Sequence, residues 1–381
     1  MNHVYSQAYL TIVAAAGDAH HGLPGVHGLE RQSQKCLWIG DKTLPQFFRP
    51  ERFIFESAWA SRAWTFQEGC LSPRKLFFTE QGVAFWCRGS LYRSESMSHC
   101  FCDSRYPTAP ELLERCAPTL ISGISLPPIR PQQAKPCFVI EQYSIRNLTF
   151  QKDALNACLG ILKALNVTHY WGVPIEVDDL TSLYRISLNW YSLDSTAQVR
   201  DGFPTWSWLG LTGSKKFFPR SWGARASSLE RVEIQLQDDR WVNILHESSP
   251  RGNLGDISPG KTLRITGYIL EHRFVVHGEL PFIYLRGVCG REFRLQVSLD
   301  VGLPLPRGLQ DVVVLEYAAL EKCNKWDFWG IFLVLREHMG RYYRIGITLW
   351  AHLFSDCTTA ERIPIGKIPM AGSSVRTIYL E

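Results

Sequence analysis

From Leu229 to the C-terminus, short apolar runs follow one another: RVEIQLQ, TLRITGYIL, FRLQVSL, VVVLEYAAL, GIFLVLRE, YYRIGITLW and VRTIYLE. Most alternate apolar with polar residues and are rich in β-branched and aromatic types, the pattern of half-buried strands whose side chains point to opposite faces in turn. The tail is therefore expected to be β-rich, with antiparallel meander character. No solenoid-length repeat recurs along the chain.

Upstream, the signals are mixed. MNHVYSQAYLTIVAAAGDAHHGLPGV reads as a short helix, a β-type run over Tyr9–Val13 and a Gly/Pro/His loop. Ser57 to Leu71 predicts one helix with Trp59, Ala63, Phe66 and Cys70 on a single face, ended by Pro73. KLFFTEQGVAFWC predicts a β-hairpin in which Gly82 supplies the turn conformation. Residues 88–136 then carry Pro107, Pro110, Pro118, Pro127, Pro128, Pro131 and Pro136, a density that predicts a linker or variable loop.

Helical periodicity returns in FVIEQYSIRN and LTFQKDALNACLGILKAL. The second stretch has an apolar stripe of Leu155, Cys158, Leu159, Leu162 and Leu165, with Thr149 as cap, Asp153 in the first turn and Lys163 in the last. A further helix is expected at roughly Leu180 to Tyr191, then a strand in FPTWSWLGL with Trp206 and Trp208 opposite Ser207. The fold class is thus α+β. Its segments are a helical and short-sheet region at 1–87, the proline-rich 88–136, a helical segment with the WSW strand at 137–228, and the β-rich 229–381.

Composition narrows the function classes. The 381 residues include 41 Lys+Arg against 36 Asp+Glu, a formal charge of +5 with no block of either sign, so nucleic-acid binding has no electrostatic footprint. Eleven scattered cysteines in a chain of this length fit a reduced, cytoplasmic setting. No apolar run reaches the ~18 residues of a membrane span, and AYLTIVAAAGDA lacks the basic leader of a signal peptide.

Two motifs tempt and fail on context. GDISPGKT, Gly255–Thr262, has the letters of a phosphate-cradling loop, but such a loop needs a strand before it and a helix after it. Here a strand follows. His99, Cys100, Cys102 and Cys116 could offer soft metal ligands, yet no second paired-cysteine cluster accompanies them. His20 and His21 read as loop polar groups, and no metal or cofactor is expected.

SRAWTFQEGC, Ser61–Cys70, is the stretch where chemistry is most open. Thr65 and Glu68 have capping-box spacing, which would make both of them helix-start residues. If the helix begins near Ser57, Glu68 instead lies inside it beside Trp64 and Leu71, partly desolvated unless Arg62 or Arg74 pairs with it. A carboxylate so placed is either a structural ion pair or a catalytic group. For Trp206, Ser207 and Trp208, core packing stands against a ligand-facing aromatic edge.

Four blocks in order, VYSQAYLTIVAAAGDAHHGLPGV, SAWASRAWTFQEGCLSPRKLFFTEQGVAFWC, EQYSIRNLTFQKDALNACLGILKAL and FPTWSWLGL, resemble those of fungal heterokaryon-incompatibility (HET) domain proteins. The usual upstream blocks, a Tyr with Trp-Gly and a Trp-Ile-Asp with Cys-Ile-x-Gln, do not precede Tyr5. The resemblance therefore implies that 1–87 is the C-terminal part of a HET domain, its N-terminal half missing and its pocket incomplete. It further implies a cytoplasmic role in fungal non-self recognition and programmed cell death, through self-assembly or protein partners. The alternative it implies is NAD hydrolysis of the Toll/interleukin-1 receptor-like type, with NAD as substrate. In that case Glu68 would stabilise the ribosyl cation or hold the ribose hydroxyls. Arg62, Trp64, Thr65 and Gln67 share Glu68's block.

Overall fold

The computed structural model describes residues 2–18, 20–33, 36–45, 50–87, 90–94, 135–177, 184–194, 196–218, 224–227, 229–246, 248–273, 275–277, 280–286, 292–300, 311–320, 329–353 and 374–381. They fall into two compact units, one of Met1–Lys135 with Gln142–Leu165 and one of Pro136–Glu141 with Asn166–Glu381. The helix Pro136–Ser144 contributes to both. Helices and mostly antiparallel sheets together make the chain α+β, as its periodicities predict.

In the first unit a four-stranded sheet runs in the order Thr11–Ala14, Arg74–Phe78, Val83–Cys87, Ser90–Ser94. Thr11–Ala14 lies parallel to Arg74–Phe78, with Val13 beside Phe77, and the other pairs are antiparallel. Val13, Phe77 and Ala84 are buried on one face, where Trp59 meets Phe77 edge-on at 5.6 Å between ring centroids. Helices Ala58–Ser61, Ala63–Leu71 and Asn156–Ala164 supply the rest of that core through Ala60, Ala63, Phe66, Cys70, Ala157, Ile161 and Leu162.

The predicted hairpin is present, but Gly82 is not what shapes its turn, since it does not take a positive φ. The buried Thr79 hydroxyl does that work, donating to Gly82 O at 2.7 Å and accepting from Gly82 N at 3.1 Å. Residues 95–134 of the expected linker lie outside the described residues, as do His99, Cys100, Cys102 and Cys116. Its start is regular: Ser90–Ser94 is a strand, possible because it precedes the first proline. Thr149 does not cap the next helix. A turn of 3-10 helix at Gln151–Asp153 intervenes, and Asn156–Ala164 starts after Leu155 without a side-chain cap. The buried stripe is rotated accordingly, with Ala157 and Ile161 inside and Leu159 and Leu165 only half-buried.

The second unit is built on an eleven-stranded sheet. Its main path runs Trp241–Asn243, Arg231–Gln235, Leu263–Arg273, Asp311–Leu320, Trp329–His338, Arg341–Leu353, Glu292–Leu299, Leu280–Arg286, Val275–His277. Ser374–Leu380 lies antiparallel along Leu263–Arg273 and meets Arg341–Leu353 at one parallel pair, Tyr342 with Leu380. All seven predicted C-terminal runs are strands of this sheet.

The helix expected at Leu180–Tyr191 is absent where described: Tyr184–Ile186 and Trp190–Ser192 are strands. Their partners decide it. Tyr184–Ile186 extends the hairpin Thr168–Tyr170/Val173–Val177, and Trp190–Ser192 pairs with Lys215–Phe217, so long-range ladders override a weak helical pattern. The expected WSW strand is a turn that runs into a 3-10 helix at Trp208–Gly210. The GDISPGKT stretch begins inside a 3-10 turn, Leu254–Asp256, and runs into the strand Leu263–Arg273, with no helix after it to receive a phosphate.

Candidate functional site

The predicted helix from Ser57 to Leu71 is two helices. Ser57 caps Ala58–Ser61, its hydroxyl oxygen accepting from Ala60 N at 3.1 Å. The chain then becomes extended at Arg62, with φ −85° and ψ 139°, before Ala63–Leu71 begins. Tertiary pairing causes the break. Ala63 N donates to Asn147 O at 2.9 Å and Asn147 N donates to Ser61 O at 2.8 Å, so Arg62 sits in a short parallel bridge rather than a helical turn. Backbone amides spent on Asn147 cannot also serve an uninterrupted i to i−4 ladder.

Arg146 secures the same break. Its Nη1 donates to Ala60 O and, at 3.4 Å, to Arg62 O, and its guanidinium lies 4.5 Å from the centroid of Phe66. Carbonyls at a helix C-terminus attract a cation, which accounts for a buried arginine there whose acceptors among the described residues are carbonyls. Burial pushes its pKa down to about 10. The sequence signal was available, since Arg146 stands in SIRN of the third family-like block, but nothing local shows that it would turn inward.

Thr65 is not a cap. Lying in the first turn of the second helix, it is buried, and its hydroxyl donates to Trp59 O and, at 2.8 Å, to Arg62 O, tying the two helices together. Gln67 is buried and bridges to the neighbouring helix, with Nε2 donating to Ala157 O at 2.8 Å and Asn156 O at 3.2 Å. Its Oε1 is buried without a hydrogen-bond partner. Arg62 is exposed and Trp64 half-buried.

Glu68 is half-buried, and neither predicted arginine pairs with it. Oε1 accepts from the Tyr5 hydroxyl at 3.0 Å and Oε2 from Trp59 Nε1 at 3.0 Å. The carboxylate thus ties the N-terminal helix Asn2–Gln7 to both helices of the broken pair. Burial, then the Glu68 charge and its hydrogen bond, push the Tyr5 hydroxyl up to about 12, so it remains a donor across the physiological range. Arg74 is exposed and stacks on Tyr9 at 4.8 Å while donating to Tyr9 O at 3.2 Å. The cation buried at this end of the sheet is Lys75, whose Nζ donates to Gly69 O at 2.8 Å and Ser72 O at 3.0 Å at the helix C-terminus.

Trp206, Ser207 and Trp208 belong to the other unit and are core residues. They dock on a tight turn whose two central residues, Trp171 and Gly172, have φ of 49° and 78°. Ser207 donates to Trp171 O at 2.7 Å and Trp208 Nε1 to Gly172 O at 2.8 Å. Gly172's φ favours glycine, and a Cβ there would stand 2.7 Å from Leu209 Cδ1, so that buried side chain would have to shift. Trp206 Nε1 donates to Lys261 O at 2.9 Å, which leaves the strand-edge ligand reading without an exposed aromatic face.

Among the described residues, no three His, Cys, Asp or Glu side chains gather as metal ligands, and no helix is long and apolar enough to cross a membrane. Residues 1–68 match the family model described as Heterokaryon incompatibility protein (HET). The matched stretch ends on Glu68 and so contains Tyr5, Trp59 and both helix starts. No curated protein and no solved structure matches the chain.

Proposed function

We propose that this chain is a heterokaryon-incompatibility-type protein of fungal non-self recognition and cell-death signalling, acting in the cytoplasm through self-assembly or protein partners. The observation that carries this reading over a catalytic one is the state of Glu68. Both of its oxygens accept hydrogen bonds from donors of the same unit, Tyr5 and Trp59, so the carboxylate serves as a structural junction. A group that must stabilise a developing cation is better placed when its lone pairs face the reacting atoms. Exposed apolar residues in the same unit, including Tyr9, Ile12 and Trp38, supply contact surface for a protein partner.

NAD hydrolysis is the second reading, favoured by one observation. Glu68 and Trp64 stand one helical turn apart and are both half-buried, which sets a carboxylate and an indole on one face of the helix. The two readings separate by experiment. Purified chain is incubated with NAD and released nicotinamide is measured for the wild type and Glu68→Ala, while regulated expression in a filamentous fungus reports growth arrest. Growth arrest without NAD turnover supports signalling by contact. Turnover abolished by Glu68→Ala transfers the role to catalysis. Neither growth arrest nor turnover overturns both.

A further inference from the structure

In the second unit, the hairpin of Thr168–Tyr170 and Val173–Val177 is held from two sides. On one side its turn receives Ser207 and Trp208, and Tyr170 stacks on Trp206 with ring centroids 5.5 Å apart. On the other it is pinned to residues 252–256. His169 N donates to Gly252 O at 2.9 Å, Gly252 N donates to Thr168 Oγ1 at 3.3 Å, and His169 forms a parallel bridge with Asn253. These contacts converge on His169 and its neighbour Thr168.

The His169 ring suits this second contact in one protonation state only. It is 3% exposed, and its Nδ1 is buried with no hydrogen-bond partner among the described residues. Its cross-strand neighbour is Pro174, which brings no charge. The charged group acting on it is Asp256, in the 3-10 turn Leu254–Asp256, whose Oδ1 already accepts from Asn253 Nδ2 at 2.9 Å. Arg251, earlier in the same segment, stacks on Tyr184 at 4.1 Å from that ring's centroid. A neutral imidazole leaves one weak acceptor unused here. An imidazolium would bury a positive charge and aim an N–H at no acceptor, which costs far more.

We propose that His169 is an acid-sensitive latch, whose protonation frees residues 168–177 from residues 252–256 while the rest of the second unit stays folded. Once the hairpin swings out, water accepts from both ring nitrogens. Burial pushes the closed-state pKa down to about 4 from the ordinary 6.5, against the attraction of Asp256, so the open form takes up the proton first. Above pH 6.5 the ring is neutral in both forms and the latch is closed. As pH falls from 6.5 toward 4 opening grows, and between pH 7 and pH 5 the open fraction rises about twentyfold. The same hairpin carries the turn on which Trp206–Trp208 dock, so the latch links acid to the packing of that aromatic block. It lies wholly in the second unit and depends on neither reading of Glu68.

Hydrogen–deuterium exchange of the full chain at pH 7 and pH 5, corrected for the intrinsic rate, tests the latch. Amides of residues 168–177 should lose about twentyfold in protection on acidification. They should also stay less protected than the strand Leu263–Arg273 at both pH values, since the opening is local. His169→Asn should cut the pH response of the hairpin below about threefold, because asparagine does not titrate. If that variant does not fold, the wild-type comparison of hairpin with strand still decides. Hairpin protection unchanged between the two pH values, a response that survives in His169→Asn, or hairpin and strand sharing one free energy of opening overturns the proposal.

Discussion

Trp59 Nε1 lies 3.0 Å from Glu68 Oε2, across a helix break that a continuous helix would not contain. Because the same carboxylate also accepts from Tyr5, three segments converge on one side chain. Glu68→Gln should cost about 1–3 kcal/mol in urea unfolding, the range for disturbing charged hydrogen bonds in a half-buried site. Tyr5→Phe should cost about 1 kcal/mol. In the double variant the two losses should fall short of additive, since both remove one shared contact.

Arg146 is a sharper test of the break at Arg62. Replacing it with Met strips the carbonyls of Ala60 and Arg62 of their donor and removes the cation from Phe66. A loss of about 2–4 kcal/mol is expected by denaturation. Arg146→Lys should recover only part of it, because a single ammonium cannot reproduce a planar fork that both bonds and stacks.

His169 gives the second unit an acid-sensitive step. Burial pushes its pKa down to about 4, against the attraction of Asp256, and its Nδ1 is buried without a partner. The unfolded chain binds the proton near the ordinary 6.5, so between these values the unfolded state holds more protons and stability rises with pH. Acidification from about pH 6.5 to pH 4 should therefore remove about 3 kcal/mol of stability. A pH series of melting temperatures on wild type and His169→Asn should show a flatter slope for the variant in that window.

Lys215 acts in the alkaline range. Burial first, then Arg200 and Arg344, push its pKa down to about 7 from the ordinary 10.5, opposed by Asp300 and Asp194. Unfolding above pH 7 takes up a proton, so stability should climb from pH 7 toward pH 10 on account of this group. Lys215→Met should flatten that climb. The substitution also leaves Thr212 O and Gly213 O without the amino group that donates to them at 2.6 and 2.8 Å.

The seven C-terminal strands, the Arg74–Cys87 hairpin and the α+β class were legible in the sequence because each rests on local apolar runs, although the hairpin's turn is held by Thr79 rather than by a special Gly82 conformation. The burial of Trp59, Ala63, Phe66 and Cys70 was legible too, since four-and-three spacing survives a one-residue break. The partners of Glu68 were not. Arg62 and Arg74 are near it in the chain but exposed, whereas Tyr5 reaches it across 63 positions.

The sequence by itself determined which stretches could be strands or helices and which stretch holds a half-buried carboxylate, because periodicity and composition act over a few residues. Tertiary structure alone decided the break at Arg62, the strands at Tyr184–Ile186 and Trp190–Ser192, and the turn at Trp206–Trp208. In each case the deciding hydrogen bonds come from residues far along the chain: Asn147 and Arg146, Val173–Val177, Lys215–Phe217, and the Trp171–Gly172 turn. Buried backbone groups must find partners somewhere, and where the nearest good partner is distant in sequence, no local pattern records the choice.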